Sequence, residues 1–143
     1  MKGKGILVLL LAAALCGCAV LGLALHRAEQ RAEKIETACR YAVDNANTRF
    51  RSYLDTGREY DYHYAVAELT AFYDAMAVLS DGSEESHHIR ISLNRLLGEL
   101  MEYPELSDGQ IQDLIDLTAM LKADIFDSNA CLRMDAVYNS LTR

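Results

Sequence analysis

The run Glu84-Glu85-Ser86-His87-His88 contains Glu-x-x-His twice, pairing Glu84 with His87 and Glu85 with His88. On a helix that spacing sets a carboxylate and an imidazole on one face, the arrangement by which carboxylate-bridged di-iron bundles hold their metal. Such a centre needs the motif on two helices together with two further inward glutamates, and the sequence has no second copy. The run also falls in the first turn of its predicted helix, where acids favour the helix dipole. A solvated helix end is expected there, with no metal and no cofactor.

His63 lies in Tyr60-Asp61-Tyr62-His63-Tyr64, the densest aromatic stretch of the chain. Tyrosines at a bundle tip offer a large apolar body with a polar handle, which suits a protein partner. Tyr60, Tyr62, His63 and Tyr64 are therefore the candidate partner-binding residues. The plainer alternative is that Tyr62 or Tyr64 packs under the tip while the others are merely exposed.

Cys39 and Cys131 lie on separate predicted helices. In an oxidising compartment they form a candidate disulfide, provided their Cα atoms come within about 7 Å; otherwise they are small buried hydrophobes. No spacing gives either thiol the adjacent base that nucleophilic catalysis needs. The sequence after residue 25 also lacks a glycine-rich phosphate loop, a Gly-x-Ser-x-Gly elbow, a His-Glu-x-x-His helix and a Cys-x-x-Cys pair. No enzymatic activity is expected.

The elements that position these residues follow a membrane-like segment. Residues 5–25, GILVLLLAAALCGCAVLGLAL, contain no charge and no strongly polar side chain. Twenty-one residues make a helix of about 31 Å, close to the hydrocarbon thickness of a bilayer. A secretory signal has a shorter apolar core followed by a cleavage site, and only Gly22-Leu23-Ala24 offers a weak one. Leu15-Cys16-Gly17-Cys18 resembles a bacterial lipobox, which implies lipidation at Cys18. Cys16 and the apolar residues after Cys18 depart from that pattern. The length favours an uncleaved single-pass anchor, and a homodimer could form along its small-residue face, Ala14, Cys18 and Gly22.

Lys2 and Lys4 in the short tail, residues 1–4, resemble the cytoplasmic end of a signal anchor, although Arg27, Arg31, Lys34 and Arg40 flank the other side. The head is expected outside a bacterial plasma membrane. Residues 26–60 carry seven Lys or Arg against six Asp or Glu, whereas residues 61–143 carry five against fifteen. So acidic a head repels phosphate backbones, which excludes nucleic acid as a partner class.

Residues 26–34 read as a polar helical stalk and 35–143 as an acidic helical bundle, a domain of about 110 residues with one core. The first helix should bury Ile35, Cys39, Val43, Ala46 and Phe50 and stop at Gly57. A second, from about Asp61 to Leu79, should bury Leu69, Phe72 and Met76 and end at the Ser80-Asp81-Gly82 turn. A third, from Ser83 or Glu84 to Tyr103-Pro104, should bury Leu93, Leu97, Leu100 and Met101. Ser107-Asp108-Gly109-Gln110 reads as a capping box opening the fourth, which buries Leu114, Ile115 and Thr118. A break at Asp127–Asn129 should precede a short helix carrying Leu132, Val137, Tyr138 and Leu141.

The expected architecture is all-α: one transmembrane helix running through a stalk into an up-and-down antiparallel bundle of four helices plus a short C-terminal one. The expected function is non-catalytic binding or scaffolding of another membrane or cell-envelope protein. A sensor or ligand-binding module that signals through a partner is the alternative from another class. It would require a polar group buried between helices beside an enclosed pocket.

Overall fold

A computed structural model describes residues 2–79, 84–102 and 104–142, with side chains from Cys18 onward apart from Ala19 and Glu85. It is all-helical: α1 (Lys2–Thr56), α2 (Glu59–Leu79), α3 (Glu84–Met101), α4 (Asp108–Ala123) and α5 (Ser128–Leu141). The chain forms two compact units, residues 2–34 within α1 and Ile35–Arg143. Among the described residues no helix is long and apolar enough to cross a membrane. The side chains of residues 5–17, most of the expected span, lie outside that description, as do Ser80-Asp81-Gly82 and Tyr103.

Local chemistry sets the boundaries. Gly57 adopts φ +66° and donates its N–H to Tyr53 O at 2.8 Å, a left-handed cap that only glycine takes without steric cost. Ser107 Oγ accepts from Gln110 N while Gln110 Oε1 accepts from Ser107 N, which completes the expected capping box. The fourth helix stops earlier than expected. Asp124 takes extended backbone and its carboxylate accepts from Phe126 N–H, after which Asp127 caps α5 through Asn129 N–H. Ile125 stays buried in that turn while Asn129 faces solvent.

The helices of the second unit close around one hydrophobic core. Phe50, Leu69, Phe72, Met76, Leu93, Leu100, Leu114 and Leu121 are fully buried within it. Asn45 reaches Glu68 and Ser52 reaches Asp61, so α1 and α2 run antiparallel. Arg90 lies over Tyr73 and Tyr62 Oη donates to Leu100 O, which sets α3 antiparallel to α2. The Arg40 guanidinium donates to Lys122 O and Asn47 Nδ2 donates to Ile115 O, which sets α4 antiparallel to α1.

Asn47 is the polar key of that last contact. Its amide also donates to Thr118 Oγ1 at 2.8 Å, and its Oδ1 accepts from Arg51 Nε at 2.9 Å. A buried amide satisfied at both ends penalises any slip of α1 along α4, because a slip would strand the group without partners.

Two expected core positions, Leu132 and Met101, need correction. The C-terminal helix is a full fifth member of the bundle, packed against both α3 and α4. Arg133 pairs with Asp113 and Gln110 with Ser140, which makes α5 antiparallel to α4 and therefore parallel to α3. Successive helices thus alternate in direction, as an up-and-down bundle requires. On α5, Ala130, Met134 and the expected Val137 are buried, whereas Leu132 is 72% exposed. Positions 130, 134 and 137 share one stripe at helical spacing, and residue 132 lies about 200° from Ala130. Met101 is likewise about half exposed, because α3 ends there and Leu97 and Leu100 already fill the inner face.

Candidate functional site

The end of the bundle at Gly57 gathers the aromatic residues that the sequence marks, and divides them. Tyr62 turns inward: it is 5% exposed, donates to Leu100 O at 2.9 Å, and meets Phe50 edge-on at 6.2 Å between ring centroids. Tyr60 and Tyr64, one turn apart on α2, stay exposed with their rings 4.4 Å apart and tilted 45°. The Tyr64 hydroxyl beside Tyr60 is the main cause that pushes the Tyr60 phenol above its ordinary pKa.

A residue of the preceding helix fixes this pair. The Arg49 guanidinium lies 5.3 Å from the Tyr64 ring centroid and donates to Asp61 Oδ1 at 2.8 Å. Asp61 is nearly inaccessible, yet it is fully engaged. Ser52 Oγ donates to its Oδ2 at 2.8 Å, and Arg58 Nε lies 3.3 Å from the same oxygen. The Ser52 bond, followed by that of Arg49, holds its carboxyl below the ordinary carboxylate pKa. No motif in the sequence singles out Arg49 or Asp61. Twelve residues separate them, and only the hairpin of α1 on α2 brings them together.

A depressed folded pKa means that Asp61 adds stability above about pH 4 and loses it as pH falls through the folded value. Asp61→Asn should therefore melt below the wild-type protein at neutral pH, with the two curves converging in strong acid. Thermal melts between about pH 2 and 7 test this; a constant gap across that range would contradict the ion network.

His63 lies on the other side of the α2 start. With Tyr53, Glu59, Tyr62, Pro104 and Glu105 it lines a cavity of about 240 Å3. The Tyr53 and Tyr62 rings form one corner, 5.4 Å apart and tilted 49°. Two tyrosines beside two carboxylates provide a surface that favours positive charge.

The remaining candidates are dispersed. Glu84, His87 and His88 are exposed, the side chain of Glu85 lies outside the described residues, and no three metal-ligating side chains converge among those described. Cys39 and Cys131 are free thiols, the first buried and the second half-buried. Burial, with the Glu36 charge second, pushes Cys39 up to about 11. Burial, with Asp135 second, raises Cys131. Both are therefore poor nucleophiles at neutral pH. Cys18 is exposed, the Gly22 position has open space around it, and the side chain of Ala14 is outside the described residues.

The chain matches no family model, no curated protein and no solved structure.

Proposed function

We propose that the protein is a membrane-anchored, non-catalytic docking bundle that binds or scaffolds another cell-envelope protein through its Gly57 end. The observation that carries this reading is the Tyr60–Tyr64 pair, two exposed aromatic rings held in place by Arg49 and Asp61. Large aromatic side chains already fixed in position lose little entropy on binding, and such residues dominate interface energies. The acidic cavity beside them favours a partner segment with positive charge.

The anchor in this proposal is residues 5–25, in which no charge interrupts 21 residues. Val20, Leu21, Leu23 and Leu25 are all more than half exposed, and a lipid environment would cover them. The head would then stand on the outer face of the plasma membrane, with Lys2 and Lys4 inside. Two features at the Gly57 end and along α1 support docking over the sensor alternative there. The buried Asn47 amide has its partners, and the cavity at Tyr53 opens at the surface.

Replacing Tyr60 and Tyr64 together by Ala should weaken recovery of the native partner by about tenfold or more, while the melting temperature moves little because both rings are exposed. Equal recovery from a folded double variant would refute this interface.

A further inference from the structure

Among the described basic residues of the bundle, Arg51 and Arg90 have no carboxylate pair; Arg51 Nε is instead taken up by Asn47 Oδ1. Arg40, Arg49, Arg58, Arg95, Lys122 and Arg133 each have a carboxylate within ion-pair distance. Among the described residues no carboxylate pairs with Arg90, and its Nε is buried without a hydrogen-bond partner. A buried guanidinium N–H left unpaired is costly. An arginine Nε left without an acceptor among the described residues calls for a physical reason.

The surroundings supply one. The Arg90 guanidinium lies 5.5 Å from the Tyr73 ring centroid, so one flat face is engaged with α2. That contact uses the π surface of the guanidinium, and because Nε is shielded from solvent, the two terminal amino groups are the donors left to meet an acceptor in the cleft. His87, Ile91 and Asn94 follow helical spacing on the same side of α3, and with Tyr73 and Arg90 they line a cavity of about 240 Å3. The lining joins an arginine fork, an amide, an imidazole and a phenol to one apolar wall. These are the groups that recognise an oxyanion by charge-assisted, bidentate hydrogen bonds.

We propose that this cleft between α2 and α3 binds a small oxyanion, a carboxylate or a phosphate, with Arg90 as the bidentate anchor and Asn94 and His87 as its flanking donors. Glu84 lies one turn before His87 on α3, so the oxyanion is held from the Arg90 and Asn94 side of the cleft, and more distant carboxylates are screened over about 8 Å at physiological salt. The site lies on other residues than the docking surface at Gly57, so either proposal can fail without the other.

The test uses the full chain in detergent micelles, titrated with sodium phosphate and with sodium acetate against sodium chloride at equal ionic strength. The readout is the Arg90 Nε–H resonance in NMR spectra. A saturable shift with phosphate or acetate, absent with chloride, is expected, and whichever saturates first identifies a phosphoryl or a carboxylate ligand. Asn94→Ala with His87→Ala, both exposed positions, should weaken binding by about tenfold without changing the fold. Arg90→Lys, which keeps the charge but loses the fork, should weaken the shifts of the remaining cleft residues. An equal response to chloride, no saturation by either anion, or unchanged affinity in the Asn94 and His87 double variant would overturn the assignment.

Discussion

A chain ending at Phe126 should no longer unfold as the intact head does; its cooperative transition should be lost or its midpoint lowered by about 15 °C or more. The truncation removes Ala130, Met134 and Val137, each 1% exposed or less, and uncovers the faces of α3 and α4 that they cover. Burying one large apolar side chain is worth about 1.5 to 3 kcal/mol, and a small domain has only about 5 to 15 kcal/mol in total. The cut also deletes the Arg133–Asp113 pair, the Gln110–Ser140 bond and the contact of Arg95 with Tyr138. Differential scanning calorimetry of the two chains decides the matter. An unchanged midpoint would make α5 a loose tail, contrary to its position in the bundle.

Phe50→Ala should destabilise the head by about 3 to 5 kcal/mol. The Phe50 ring is fully buried and touches Tyr62 edge-on, so its loss leaves a cavity where α1 meets α2. Partial collapse into that space would pull Tyr62 away from Leu100 O and disturb the start of α2, where Tyr60 and Tyr64 are presented. The variant should therefore lose stability and partner binding together. The double alanine variant at Tyr60 and Tyr64 should lose binding alone. Denaturant unfolding measures the first effect, and a cost below about 0.5 kcal/mol would contradict the central position of Phe50.

What could be read from the sequence follows from how local each cause is. Helical spacing identifies the inner faces of α1 to α4 because large aliphatic side chains recur there without interruption. Gly57 and the Ser107–Gln110 box are legible for a similar reason, since each acts within one turn. The last helix misleads because its true core positions are a small alanine, a flexible methionine and one valine. Leu132, the most apolar residue in view, faces solvent. Long-range pairings leave no such trace. Nothing near Asn47 indicates Ile115, and nothing near Arg49 indicates that Asp61 will hold it against Tyr64.

The same distinction runs through the candidate site. A dense aromatic stretch is visible as composition, but which rings face outward depends on where Phe50 and Leu100 sit. The Glu-x-x-His repeat stands out as a motif, yet no second set of ligands meets it among the described residues. Arg90 shows the reverse case. It has no motif, and its importance appears only in the structure, where its buried Nε lacks a hydrogen-bond partner.

The decisive measurement for the docking proposal is photo-crosslinking in intact cells, with a photoreactive amino acid placed at position 60 on α2 and, separately, at Tyr41, an exposed tyrosine on α1. Docking through the Gly57 end predicts that the protein fractionates with membranes and that position 60 yields one discrete heavier adduct that position 41 does not. Recovery in the soluble fraction, no adduct at position 60, or the same adducts from both positions would contradict it.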